Sequence, residues 1–309
     1  MTTAHHTAPL PRQLSDVKGW FPALDQILFE WLLTRQENPG DLLELGVFMG
    51  KSAIFLGRHL KAGETFTVCD LFESDAPDPA NVNEMAQSYS MLTRDAFERN
   101  YLSFHESLPT VLQGPSSVAA THVKPETCRF VHIDASHLYE HVHGDITTAK
   151  DVLTPDGIVV LDDFRSEHTP GVALATWEAV INRGLHPICL STQKLYGTWG
   201  DPTPIQDELI AMAQARKDCG LSIQQAAGHR LVRLRSRGMA APDFPYSRHG
   251  APKPASAPTP PPVAQPARSA QPTPRPARPK PPAERSRAAR IAADVLPPII
   301  TRAVRRSRA

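Results

Sequence analysis

Leu42-Leu-Glu-Leu-Gly-Val-Phe-Met-Gly-Lys-Ser52 is the stretch that decides the fold. It begins as a short apolar run and bends through two glycines, Gly46 and Gly50. Ala53-Ile-Phe-Leu-Gly-Arg58 then continues with helical spacing. That order describes a buried strand, a tight turn and the first turn of a helix. Glu44 stands near the strand end, where a carboxylate is poorly placed for a core. An acid beside glycines that let a ligand approach the backbone points to a nucleoside or amino-acid ligand above the sheet.

Working outward, Trp20, Leu24, Ile27, Leu28, Trp31 and Leu32 recur at helical spacing until Asn38-Pro39-Gly40 stops that helix. Downstream, strands are expected at Thr65–Asp70, Leu102–His105, Arg129–Asp134 and Ile158–Asp163, with shorter ones at Pro187–Leu190, Lys194–Thr198 and Arg230–Leu234. Helices are expected over residues 84–100, from Ser107 to Gln113, from His137 to Leu153, from Val172 to Arg183, and over 205–217. Residues 73–83, rich in Pro, Asp and Asn, read as a loop over the site. Strands alternating with helices at this spacing give an α/β protein: a doubly wound, mostly parallel sheet with right-handed crossovers and a late antiparallel strand.

In such a sheet, ligands bind outside the carboxyl ends of the strands. Glu44, Asp70, Asp134 and the pair Asp162-Asp163 all fall there, and buried carboxylates are costly unless paired. Asp70, about twenty residues beyond the glycine turn, suits ribose hydroxyls. Asp134, Asp162 and Asp163 offer oxygen donors to a hard divalent cation such as Mg²⁺.

Two motifs mislead. Gly46-Val-Phe-Met-Gly50-Lys-Ser52 has three residues between its glycines, whereas a phosphate-binding P-loop has four, so different amides would face the phosphates. His137-Leu-Tyr-Glu-His141 matches a short zinc-peptidase pattern but lacks a third ligand.

Charge divides the chain. Residues 1–240 hold 20 Lys/Arg and 29 Asp/Glu, whereas 241–309 hold 13 and 3 together with 17 of the 31 prolines. The expected organisation is a disordered 1–18, a catalytic domain over 19–240, a Pro-rich disordered linker over 241–282 and a basic tail over 283–309 with a short helix. The acidic body argues against a nucleic-acid partner for that part. The tail suits a membrane surface or an acidic partner, and a homo-oligomer is left open. Cys69, Cys128, Cys189 and Cys219 show no paired spacing and read as thiols of a reducing compartment. With no secretory start and no run of 18 apolar residues, a cytoplasmic location is expected.

Taken together, Glu44-Leu-Gly-Val-Phe-Met-Gly50-Lys-Ser52, Val68-Cys-Asp70, Asp134-Ala-Ser-His137-Leu-Tyr139 and Gly157-Ile-Val-Val-Leu-Asp162-Asp163 resemble the class I S-adenosylmethionine-dependent methyltransferases, over roughly residues 20–236. Within that class the likeness is to the metal-dependent O-methyltransferases, of the catechol and antibiotic-sugar types. The resemblance implies that Glu44, Gly46, Gly50 and Ser52 hold the methionine part of S-adenosylmethionine, that Asp70 binds its ribose and that Ser107 lies near its adenine. It implies Mg²⁺ on Asp134, Asp162 and Asp163, and it puts His137 at the position of the catalytic base. Many sugar-modifying relatives read Asp-Gly-Asp-His where this chain reads Asp134-Ala-Ser136-His137, so Ser136 cannot act as a base and His137 is the candidate. The implied reaction is methyl transfer to a hydroxyl of a small molecule or sugar. Two rivals stay open: a metal-dependent oxygenase on the same framework, and an inactive cofactor-binding scaffold.

Overall fold

Strand β1 (Asp41–Leu45) lies inside a nine-stranded sheet, flanked by parallel strands β2 (Phe66–Asp70) and β4 (Cys128–Ile133). The structure, a computed structural model, describes residues 9–76, 78–79, 81–82 and 91–250. The remaining strands are β3 (Thr110–Gln113), β5 (Leu153–Leu161), β6 (His186–Leu190), β7 (Leu195–Thr198), β8 (Cys219–Ala226) and β9 (His229–Ser236). The order is β3-β2-β1-β4-β5-β7-β6-β9-β8. The first five strands are mutually parallel, and β7 enters antiparallel to β5. The order reverses between β1 and β4, the switch point where a doubly wound sheet opens a crevice.

Alternation along the central strands fixes two cores. Leu42, Phe66, Val68, Phe130, Ile158 and Val160 face α1 (Ala23–Arg35), α2 (Lys51–Gly57), α3 (Arg94–Phe104) and α7 (Thr203–Gln214). Leu43, Leu45, Val131, Ile133, Val159 and Leu161 face α5 (Tyr139–Val152) and α6 (Pro170–Asn182). The short α4 spans Ala119–His122. Strands apolar on both faces follow from helices covering both sides. Among the described residues, no helix is long and apolar enough to cross a membrane.

Several sequence expectations shift. Residues 102–105, expected as the third strand, lie within and just beyond the end of α3, where Phe97 and Tyr101 anchor the buried face. The third strand is instead Thr110–Gln113, inside the expected helix Ser107–Gln113. Strand β8 had no counterpart in the sequence reading, because Ser222, Gln224 and Gln225 give it polar positions and it pairs at the sheet edge. The late antiparallel strand is present as β7.

The packed region is also wider than 19–240. Leu14 and Val17 are buried, Phe244 stacks on Phe55, and the Ser247 hydroxyl donates to the Pro11 carbonyl. Residues 9–18 and 241–250 therefore close over each other at one edge of the core. The disordered start over residues 1–8, the linker and tail over 251–309, much of the helix expected over 84–100 and part of the loop over 73–83 lie outside the described residues.

Candidate active site

The turn after β1 is forced by close backbone approach. Gly46 has φ +81°, and a Cβ there would sit 2.0 Å from the Asp134 carbonyl, so only glycine lets the ends of β1 and β4 come this close. Phe48 and Gly50 also take positive φ, 46° and 90°, completing the turn into α2.

Two cavities open above this turn and share Gly46, Phe48 and Asp134 as a common wall. The first, about 610 Å³, is bounded by Asp70, Leu71, Ser116, Ser117 and Asp145. The second, about 580 Å³, is bounded by Trp20, Ser52, His137, Asp162, Asp163 and Lys194. Both volumes fall within the roughly 300–1,000 Å³ of ligand clefts.

Asp70 organises the first cavity. Its Oδ2 accepts the amides of Val47 at 2.7 Å and Phe48 at 3.0 Å, and its Oδ1 accepts that of Phe72 at 3.1 Å. Burial raises its carboxyl above the usual range, although these amides oppose the shift. Deeper in, Asp145 is buried, its Oδ2 has no partner, and desolvation pushes it up to about 6.

The second cavity holds the titratable groups. His137 Nε2 lies 3.1 Å from Asp163 Oδ2, and the Ser166 hydroxyl donates to Asp163 Oδ1 at 2.5 Å. Burial pushes Asp163 up, but the bonds from His137 and Ser166 outweigh it and leave the carboxyl below its ordinary value. Behind this pair is a buried cluster. Lys194 Nζ is ion-paired with Asp162 Oδ2, and His132 Nδ1 meets Glu44 Oε1 at 2.8 Å. The Asp25 carboxylate accepts the Tyr196 hydroxyl at 2.7 Å. Burial pulls Lys194 down while Asp134, Asp25 and Glu44 hold it up, and desolvation raises Asp134 to about 6. His132, Asp134 and Asp162 each offer a donor atom within 4.8 Å of the others.

The structure brings Gly46, Ser52, Asp70, Asp134, His137, Asp162 and Asp163 to the cavities, whereas Glu44, Gly50 and Ser107 do not line them. Glu44 shares the parity of Leu42, so it points into the helix-covered core and is fully buried against His132, whose ring packs edge-on to Phe29. Gly50 packs against the Phe97 ring. Ser107 is exposed before β3; because the strand lies later in sequence than expected, Ser116 and Ser117 after β3 line the cavity instead.

The expected metal triad also divides. Asp134 and Asp162 group with His132, whereas Asp163 turns to His137 and Ser166. The zinc-like pattern separates as well, since His137 lines the second cavity while Glu140 and His141 line the first. His132, Asp25, Lys194 and Asp145 were missed; the one local sign was a histidine inside the otherwise apolar Phe130–Ile133.

Residues 43–164 match a family model described as a methyltransferase domain. No curated protein matches the chain. Among solved structures, a TDP-rhamnose 3'-O-methyltransferase of calicheamicin biosynthesis is 17% identical at a TM-score of 0.40, covering 58% of this chain and 80% of that one. The O-methyltransferase NovP is 20% identical at 0.44, covering 57% and 81%. The mycinamycin-pathway methyltransferase MycE, in complex with Mg, SAH and mycinamycin VI, is 16% identical at 0.39, covering 62% and 56%. The matched stretch contains the switch point and the acids at the strand ends, and it is over these residues, 43–164, that the chain is similar to a methyltransferase domain.

Proposed function

We propose that this chain transfers the methyl group of S-adenosylmethionine to a hydroxyl of a small molecule, a sugar hydroxyl being the first candidate. The observation that carries this reading is the pair of cavities joined at Gly46, Phe48 and Asp134, one built around Asp70 and the other around the His137–Asp163 pair.

When bound, the sulfonium supplies an electrophilic methyl group, which an oxygen nucleophile attacks in line with the thioether sulfur as the leaving group. Asp70 accepts the ribose hydroxyls with the lone pairs its three amides leave, and Ser116 and Ser117 border the adenine end. His137, oriented by Asp163, takes the acceptor's proton; such a pairing fixes the ring for the transfer. Trp20, exposed and stacked on Phe48 with ring centroids 5.9 Å apart, walls the acceptor side with an aromatic face that suits a sugar ring or a flat phenol. The cluster of one histidine and two carboxylates is not the two-histidine, one-carboxylate set of non-haem iron oxygenases, so the donor chemistry favours methyl transfer over that rival.

The expected Mg²⁺ fits this donor set poorly. Asp162 already carries the Lys194 ammonium, and Asp163 is engaged by His137 and Ser166. No step is therefore routed through a metal.

The test is calorimetric titration of S-adenosylhomocysteine into the full chain, beside Asp70→Ala. Micromolar binding that the variant loses supports the cofactor assignment. No binding to the wild type overturns the methyltransferase reading.

A further inference from the structure

The acceptor cavity contains a buried cation of its own, and we propose that Lys194 takes the place of a divalent metal in this site. The inference rests on the methyltransferase reading for its chemistry, but its geometry stands alone.

Lys194 is 1% exposed, yet it lines the acceptor cavity together with Asp134, His137, Asp162 and Asp163. Its position is fixed by the turn between β6 and β7. The Lys194 amide donates to the Ser191 hydroxyl at 3.1 Å, and the Lys194 carbonyl accepts the Ser191 amide at 3.0 Å. The side chain is thereby sent inward to Asp162 at the end of β5, the strand antiparallel to β7. A buried ammonium persists only where carboxylates compensate it, and Asp25, Glu44, Asp134 and Asp162 surround this one.

The same carboxylates cannot easily serve two cations. A divalent ion on Asp134 and Asp162 would face an ammonium already seated on Asp162, and like charges at such range repel strongly in a buried site. The third expected ligand, Asp163, holds His137 instead. Three features of this chain thus agree: the inserted lysine, the diverted Asp163, and Glu44 spent on His132.

The chemistry follows directly. As the acceptor oxygen bonds to the methyl carbon, the carbon–sulfur bond breaks and its electron pair stays on sulfur. The hydroxyl proton passes to His137. Lys194 keeps its protons and stabilises the negative charge developing on oxygen, as preorganised charge does in a dry site.

The experiment is Mn²⁺ binding to the full chain followed by electron paramagnetic resonance at pH 7.5, with S-adenosylhomocysteine present. Lys194→Met, which removes the charge and keeps most of the stem, is measured alongside. The proposal expects no Mn²⁺ bound by the wild type below millimolar concentration and a site at least tenfold tighter in the variant. One Mn²⁺ bound at micromolar concentration by the wild type overturns it, and so does equal affinity in a folded variant. If Lys194→Met does not fold, the wild-type measurement decides by itself. S-adenosylhomocysteine binding is read in the same samples; its loss counts against the methyltransferase reading and leaves the Mn²⁺ result to judge Lys194.

Discussion

At the amino ends of the parallel strands Arg129 grips Glu64; at the carboxyl ends Lys194 meets Asp162. Both pairs are buried, and they differ in how fully they are satisfied. Glu64 receives Arg129 Nε and Nη2 at 2.9 Å each and also accepts the amides of Gly40 and Lys61. Arg129 also donates to the Gln36 side chain and the His59 carbonyl. Around Lys194, by contrast, Asp25 Oδ2, Glu44 Oε2 and His132 Nε2 have no hydrogen-bond partner among the described residues, His132 Nε2 lying 3.7 Å from Asp162 Oδ2, and Asp25 and Lys194 line a cavity of about 580 Å³. A saturated pair holds the fold. An unsaturated cluster beside a cavity leaves hydrogen-bonding capacity unspent.

The contrast breaks most visibly at the amino end. Arg129→Ala should cost about 3–5 kcal/mol in urea unfolding, because Glu64 is left charged and unpaired, while the folded fraction binds S-adenosylhomocysteine as the wild type does. Glu64 sits below its ordinary pKa: burial raises it, but Arg129 and the two amides prevail. Its stabilisation is therefore complete above the unfolded carboxylate value and lost as pH falls through the folded one. A variant whose acid sensitivity matches the wild type would deny the pair this role.

At the carboxyl end the effect should move from stability to turnover. His137→Gln is expected to lower methyl transfer about a hundredfold, the lower end of general-base contributions, with the melting temperature and S-adenosylhomocysteine affinity nearly unchanged. Parallel loss of affinity would make His137 a binding residue instead. Asp70→Ala should weaken that ligand by roughly 1.5–3 kcal/mol, the range for hydrogen bonds to a charged group, as read by calorimetry.

The smallest effect sharpens the comparison in the opposite direction. Asp145 is buried with its pKa raised to about 6 from 3.8. The folded state thus binds the proton more tightly, and stability falls as pH rises through that window. Asp145→Asn should gain about 1–2 kcal/mol at pH 7.5, below the roughly 3 kcal/mol ceiling that a two-unit shift sets, and nothing near pH 3. A denaturation series across pH that shows equal gain throughout would refute the assignment.

Legibility in the sequence followed the range of the interaction. The central strands, the glycine turn and the acids at strand ends could be read because period, chain punctuation and residue type act within a few neighbours. The third strand was misplaced because Leu102 and Phe104 are apolar in either structure, and it is α3 packing through Phe97 and Tyr101 that decides. Ser107 was misassigned along with it.

Sequence alone determined the parallel architecture and pointed to the region above Gly46, where Asp70, Asp134, His137 and Asp162 line the two cavities. Tertiary structure decided what each member does. Glu44 looked like a ligand residue until the register Glu44↔His132 put both inside the sheet. Lys194 looked like the first residue of a short strand until the hairpin of β6 and β7 turned it toward Asp162, 32 positions earlier in the chain. Charge pairing across a sheet depends on register and strand order, and neither is written in any local run of residues.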